Sequence, residues 1–161
     1  MGTGFLYVRK SRIAGTWPLM AASQRQDEDI RKFEEIGTHP GANYCAISEA
    51  LVFNENIGVD RKAARLRYLR DRWANRLAQN PKCRILHSAD PAQSCGIGFL
   101  AFNGADAQKI HDNLWSKYSV LTAMVRHEEF TGLRVTPHIY STLREVDFFA
   151  DMVEREIRGG G

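Results

Sequence analysis

From Cys83 onward, short apolar runs alternate with amphipathic stretches, and this order restricts the fold more than any other feature of the sequence. The runs "CRILHS", "CGIGFLAF", "SVLTAMV" and "LRVTP" have the length and composition of strands. Between them, "ADAQKIHDNLWSKY" repeats apolar residues every three or four positions, which is typical of a helix. With a final helix from about Thr142, the order is β-β-α-β-β-α. We therefore predict an α+β layer with helices on one face of a sheet.

The last helix has a well-defined start. Thr142 and Glu145 form a capping box, in which each side chain accepts a hydrogen bond from a free backbone donor of the first turn. The residues that this helix is expected to bury follow at helical spacing: Leu143, Val146, Phe149, Val153 and Ile157.

Two further helices are predicted upstream of Cys83. The first covers "ANYCAISEALVFNENIG" and ends at Gly58; the second runs from about Asp60 to Gln79. The apolar stripe of the second helix consists of Val59, Ala63, Leu66, Leu69, Trp73 and Leu77. Seven basic side chains lie on its other faces. We interpret them as a solvated surface, because a nucleic-acid-binding face would need interleaved aromatic residues and a second basic element.

The N-terminal part has fewer regular patterns. Residues 4–9 read as a buried strand, and Ile30–Phe33 as a second, short one. The segment "IGTHPG" at 36–41 contains two glycines and a proline, which predicts a turn.

The composition of the chain excludes several classes of protein and of site. The chain has 161 residues, 43% hydrophobic and 25% charged, with a formal charge of +3, which is typical of a globular domain rather than of a disordered or strongly basic one. No apolar run approaches the ~20 residues of a membrane helix. Three cysteines without a CxxC pair predict a reducing, cytoplasmic location. No histidine has a metal-ligand spacing to another histidine or cysteine, so we predict no metal site.

Two candidate sites remain. Gly37 and Thr38 lie in the turn "IGTHPG", where free backbone N–H groups and a hydroxyl would suit a phosphate, although an ordinary turn has the same sequence pattern. Arg134 stands between Leu133 and Val135 in an otherwise apolar strand. Its guanidinium would bind a carboxylate in two-point fashion, or form a structural ion pair with Glu128 or Glu129.

These sites, in this order, resemble the C-terminal part of class V aminotransferase-fold enzymes. "GTGFLYV" is similar to the strand that follows the cofactor-binding lysine, and "RKFEEIGTHPGAN" to the family's Phe-Glu-(variable)-Gly-Thr segment. "GLRVTPHIYSTLREVDFFADMV" resembles the closing segment, in which an arginine is followed by a strand end, a Tyr-x-Thr and an acidic helix. Ser141 stands where the family often has asparagine. Within the class, the sequence is most similar to the isopenicillin N epimerase-like branch.

The resemblance implies a fold and a set of roles. The parent fold would be the fold type I transferase that binds pyridoxal 5'-phosphate, an α/β enzyme with a small C-terminal domain. Thr38 would reach across a homodimer interface to the cofactor phosphate, with Gly37 and Gly2 close by. Arg134 would bind the α-carboxylate of an amino acid or keto acid substrate. No nucleic acid or membrane partner is implied.

The resemblance also implies what the chain lacks. The family's Schiff-base lysine, the aspartate on the pyridine nitrogen and the aromatic that stacks on the ring would lie upstream, since neither Lys10 nor Lys32 has the family's lysine context. The chain by itself would therefore not be a catalyst, and it would contain no catalytic residue. The segment "SVLTAMVRHEEFTG" has no cysteine where desulfurases of the class carry their nucleophile.

We therefore expect a portion of an enzyme that acts at Cα by transamination or epimerisation. Residues 1–41 would end the large cofactor-binding domain, 42–79 would be a helical connector, and 80–161 would form the small domain. The alternative is a non-catalytic, stand-alone α+β module that binds a carboxylate or dimerises through the 42–79 helices.

Overall fold

The computed structural model describes residues 4–159, and the chain divides into two compact units, Met1–Asn56 and Ile57–Gly161. The domain boundaries predicted at 41/42 and 79/80 concern an intact enzyme and stay a prediction.

The first unit contains short 3-10 turns and one long helix. The turns cover Lys10–Arg12, Gln24–Gln26 and Ile30–Glu34, and helix α1 covers Gly41–Ile57. Gly58 follows α1 with a φ of 86°, which confirms it as the residue that ends the helix.

Two predictions for this unit are wrong. Residues 4–9 form no strand, and most of their side chains are exposed, because no strand among residues 4–159 pairs with them. Ile30–Phe33 is not a strand either: it belongs to a 3-10 turn that Asp29 initiates by accepting a hydrogen bond from the backbone N–H of Arg31 at 2.9 Å. A local capping interaction therefore overrides the β-forming residues.

Helix α1 has no buried residue although it is rich in apolar side chains. Leu51, Val52 and Phe53 are each half-exposed. The helix thus forms as predicted, but none of its apolar side chains is fully buried among the described residues.

The second unit holds a four-stranded sheet and three helices. The helices are α2 (Val59–Leu77), α3 (Ala107–Tyr118) and α4 (Leu143–Gly159). The strands are β1 (Cys83–Ile85), β2 (Gly98–Phe102), β3 (Ala123–Arg126) and β4 (Thr131–Val135). All neighbouring strands are antiparallel, in the order β1-β2-β4-β3, so the predicted β-β-α-β-β-α order is confirmed.

The three helices pack against one face of this sheet around a single hydrophobic core. Helix α2 contributes Leu69, Trp73 and Leu77, and the sheet contributes Leu100 and Leu133. Helices α3 and α4 complete the core with Ile110, Leu114, Val146, Phe149, Ala150, Val153 and Ile157. Most residues of the predicted stripes are therefore buried; the exceptions are Val59, which is exposed, and Ala63, Leu66 and Leu143, which are only partly buried.

The basic side chains of α2 are only partly solvated, which corrects the prediction. Arg70 is 1% exposed, and its guanidinium donates to the carbonyl of Cys95 at 2.6 Å and to Ser94 Oγ at 2.7 Å. Cys95 itself lies before β2 rather than within a strand, and is only partly buried. The arginine thus fixes the β1–β2 connection onto the helix.

Ion pairs join α2 to α4 along their exposed edge. Arg72 binds both carboxylate oxygens of Asp147, at 2.6 and 2.7 Å, and Arg76 contacts Asp151 at 2.5 Å and Glu154 at 2.9 Å. Bidentate pairing with a planar guanidinium sets the relative orientation of the helices more than it adds stability at a solvated surface.

The close packing of Trp73 on Gly98 generates a prediction. A Cβ at position 98 would lie 2.3 Å from Cζ2 of the indole, so Gly98→Ala forces the ring or the strand to move. We expect a loss of about 1–3 kcal/mol in the free energy of unfolding, the range of overpacked cores. Chemical denaturation of the second unit measures it. The matched control is Gly159→Ala, where a Cβ meets nothing within 4 Å. Equal stability of the two variants would contradict the packing.

Candidate functional site

Arg134 lies in β4, one of the two central strands of the sheet. Its neighbours in register are Phe99 of β2 and Ala123 of β3. Successive strand residues point to opposite faces, so the burial of Leu133 in the helix-covered face places Arg134 on the open face. The arginine is exposed there and is held by strands on both sides.

The guanidinium of Arg134 forms no hydrogen bond or ion pair with any residue in the part of the chain that the structure describes. The structural alternative, an ion pair with Glu128 or Glu129, is therefore not formed. Both glutamates lie instead in the turn between β3 and β4, which the hydrogen bond from His127 N to the Phe130 carbonyl closes at 2.9 Å.

An aromatic row borders Arg134 on the open face, and the sequence pattern gave no indication of it. The ring centroids of Phe99 and Phe130 are 5.0 Å apart in an edge-on contact, and Phe130 stacks on His127 at 4.8 Å. Gly132 makes room for this row, since a Cβ there would lie 2.9 Å from the Phe99 ring and 2.3 Å from the Leu100 carbonyl. The alternation of apolar and polar residues along a single strand cannot predict such a row, because the row depends on the register between strands.

The segment that follows Arg134 is fixed by polar contacts. Ser141 Oγ accepts a hydrogen bond from His138 N at 3.0 Å, and Arg65 of α2 donates to the Ser141 carbonyl at 3.0 Å. The rings of His138 and Tyr140 stack at 4.1 Å. Serine therefore supplies a side-chain acceptor at the position where the resemblance led us to expect asparagine.

The predicted capping box is confirmed at the start of α4. Glu145 Oε2 accepts from Thr142 N at 2.7 Å and from Thr142 Oγ1 at 2.9 Å, and Glu145 N donates to Thr142 Oγ1 at 3.2 Å. The backbone hydrogen bond and then the hydroxyl of Thr142 hold the pKa of Glu145 below its usual value. The turn between Arg134 and α4 thus ends in a charge-assisted cap.

Gly37 and Thr38 lie in the first unit, in the predicted turn before α1. Gly37 has a φ of 84°, a conformation that favours glycine, and both residues are exposed. In residues 4–159 no group accepts a hydrogen bond from the Thr38 hydroxyl or from the backbone N–H groups of residues 37 and 38. These donors fit a phosphate. Gly2 lies outside the described residues.

The potential metal ligands, Lys32 and Cys83 add no further candidate site in residues 4–159. Among residues 4–159, no three His, Cys, Asp or Glu side chains lie close enough together to hold a metal ion. Lys32 is 3% exposed and donates to the carbonyls of Ile13 at 2.5 Å and Asp27 at 2.9 Å. This lysine holds two turns together. Burial raises the pKa of the Cys83 thiol to about 11, which makes it a poor nucleophile.

Comparison with known proteins decides the family. The model of the aminotransferase class-V family matches residues 1–149. The chain is a member of the class V aminotransferase family. Enzymes of this family depend on pyridoxal phosphate.

Two relatives are consistent with this membership. Isopenicillin N epimerase from Streptomyces clavuligerus is 27% identical over 126 residues, which cover 78% of this chain and 32% of that protein. The apo structure of cysteine desulfurase from Thermococcus onnurineus NA1 superimposes with a TM-score of 0.68 and 18% identity, over 80% of this chain and 34% of that one. This chain therefore has the fold type I architecture and spans about a third of the length of these relatives. No helix in its residues 4–159 is long and apolar enough to cross a membrane.

The cap at Glu145 predicts a pH dependence. The pKa of Glu145 in the folded state is lowered from 4.5. Its contribution to the stability of the first turn of α4 is therefore complete at neutral pH and is lost as the pH falls through the folded-state pKa. We expect faster amide exchange in the first turn of α4 once the pH falls below the usual pKa of a glutamate side chain, after correction for intrinsic rates. Glu145→Ala should show the faster exchange already at pH 7, whereas Glu128→Ala should behave like the wild type. An unchanged first turn in Glu145→Ala would contradict the role of the cap.

Proposed function

We propose that the chain supplies the C-terminal portion of a pyridoxal-phosphate enzyme that acts at Cα of an amino acid, by transamination or epimerisation. The observation that carries this proposal is the unpaired Arg134 on the open face of a sheet in a class V chain. The named relative that is an epimerase supports chemistry at Cα.

Arg134 would bind the α-carboxylate of the amino acid or keto acid. Strands β2 and β3 fix its backbone on both sides, and no internal partner competes for the guanidinium in residues 4–159. In open water such a pair contributes only about 0–1 kcal/mol. Enclosure by the rest of the enzyme would desolvate it, and the bidentate contact would then both strengthen binding and orient the Cα–H bond.

Gly37 and Thr38 would hold the cofactor phosphate, together with Gly2, and Thr38 would do so across a homodimer interface. The exposed donors of this turn support the assignment, as does its position directly before the 17-residue helix α1, whose N-terminus favours an anion. The bound cofactor would supply the electron sink for the carbanion at Cα.

The Schiff-base lysine would come from a part of the enzyme outside this chain. Lys32 is already bound to two carbonyl groups in the first unit, which supports a structural role rather than a catalytic one. The β3–β4 turn carries His127 and two glutamates but no cysteine, which favours chemistry at Cα over sulfur transfer. A cytoplasmic location is part of the proposal.

The alternative is a stand-alone α+β module without catalysis. Two observations favour it: the second unit has a hydrophobic core of its own, and α1 exposes apolar side chains that could serve dimerisation. In this case Arg134 would bind a carboxylate ligand without a cofactor.

The test replaces Arg134 in the complete enzyme that contains this chain. Arg134→Gln should weaken the transition-state interaction by roughly 2–4 kcal/mol, about 30- to 900-fold in kcat/KM, as expected for loss of a desolvated charge-assisted pair. Steady-state kinetics with the amino acid substrate measure it.

Arg84→Gln is the matched control. Arg84 is an exposed arginine of edge strand β1, paired in register with Ala101, and has the same charge but a different place on the sheet. We expect it to change kcat/KM less than about twofold, as for a surface charge. Equal kinetics of the Arg134 and Arg84 variants would remove the proposed role of Arg134.

A further inference from the structure

The two positions beside Arg134 on the open face are apolar and differ in size. Phe99 of β2 and Ala123 of β3 lie opposite Arg134 in register, and residues directly opposite each other share a face of the sheet. The β2 side therefore presents an aromatic ring next to the arginine, whereas the β3 side presents only a methyl group. Any apolar contact made by a ligand of Arg134 is expected on the β2 side.

The aromatic row extends this apolar surface away from Arg134. At the position two residues before the arginine, Gly132 has no side chain, and the Phe99 ring leans over it, because a Cβ there would lie 2.9 Å from Phe99 Cε1. The ring of Phe130 meets that of Phe99 with centroids 5.0 Å apart, which places Phe130 on the same face. Phe99 and Phe130 thus form one continuous surface that begins beside Arg134.

The two phenylalanines of the row are partly exposed and are held in place. Neither Phe99 nor Phe130 is buried among the described residues, so a ligand can contact both. The strand register fixes Phe99, while Phe130 stacks on His127 at 4.8 Å and its carbonyl closes the β3–β4 turn. A ligand that covers these rings would remove apolar surface from water without first ordering them.

The unpaired guanidinium and the adjoining rings together define the ligand that fits. A two-point contact with Arg134 fixes a carboxylate, and the rest of the molecule then extends away from the guanidinium. A large apolar group can cover Phe99 and Phe130, whereas a methyl group on the carbon next to the carboxylate is too short to reach the second ring. The site is therefore complementary to a carboxylate with a large apolar body.

We propose that the aromatic row binds the side chain of the substrate, and that this substrate is an amino acid with a large apolar side chain, aromatic or branched aliphatic. The inference rests on the proposed function, since it takes Arg134 as the group that binds the α-carboxylate. It goes further by assigning Phe99 and Phe130 to substrate selection.

The experiment measures the binding of three unreactive carboxylates to the complete enzyme that contains this chain. They are 3-phenylpropionate, propionate and glutarate, which have the carbon skeletons of phenylalanine, alanine and glutamate without the amino group. Calorimetric titration gives the affinity for 3-phenylpropionate, and its displacement gives the other two. We expect 3-phenylpropionate to bind at least about tenfold more tightly than either, because its ring covers the aromatic row.

Phe130→Ala removes the ring at the far end of the row. We expect it to weaken the binding of 3-phenylpropionate by about three- to tenfold and to leave that of propionate unchanged. The propionate titration also reports any loss of folded enzyme, which would affect both ligands alike. Phe148→Ala is the matched control, because Phe148 is an exposed phenylalanine of α4 in the helix layer. It should change neither affinity.

Arg134→Gln separates this inference from the proposed function. It should weaken 3-phenylpropionate and propionate by a similar factor, because both ligands share the carboxylate. If it changes neither, the carboxylate role of Arg134 is wrong and the side-chain assignment is lost with it. If it weakens both while Phe130→Ala leaves the ratio of the two affinities unchanged, only the assignment of the aromatic row is wrong.

Two further results would overturn the inference. The first is the absence of measurable 3-phenylpropionate binding. The second is glutarate binding as tight as that of 3-phenylpropionate. A dicarboxylate would then be the better ligand, with Arg84 of edge strand β1 as the second cation of the open face in place of the aromatic row.

Discussion

Burial of one face of the sheet is the constraint on which the rest of the second unit depends. Three helices cover the face that carries Leu100 and Leu133, and the pleat then leaves Phe99 and Arg134 on the other face. A register shift of one residue would exchange these sets and bury an unpaired guanidinium, which is far more costly than leaving a leucine exposed. The hydrophobic core therefore determines where the arginine points.

Arginines of α2 connect this core to the loops around the candidate site. Arg70 holds the β1–β2 connection, Arg65 holds the segment after Arg134, and Arg72 and Arg76 join α2 to α4. Because α4 begins at the capped turn, its orientation also limits where residues 137–142 can lie. The basic helix thus has a positioning role within the unit.

Much of the second unit could be predicted from sequence because its signals are local. The periodicity that buries Val146, Phe149 and Val153 and the capping box at Thr142 need only neighbouring residues. The prediction of a strand at residues 4–9 was wrong for the opposite reason. An apolar run becomes a strand only when another strand pairs with it, and residues 4–159 provide no such strand.

The burial of Arg70 could not be predicted because it depends on Ser94 and Cys95, which lie more than 20 residues away in the sequence. The orientation of Arg134 follows from the alternation of side chains along its strand. The aromatic row beside it could be predicted only from the register between β2 and β4 and the position of the β3–β4 turn.

We propose that this class V chain works as a portion of a pyridoxal-phosphate enzyme, in which an enclosed Arg134 binds a carboxylate. The most direct measurement is the DNA sequence immediately upstream of the Met1 codon, read in frame. We expect an open frame that encodes a lysine shortly before "GTGFLYV" and a large cofactor-binding domain further upstream. An in-frame stop codon with a ribosome-binding site close to Met1 would contradict this proposal and would favour the stand-alone module.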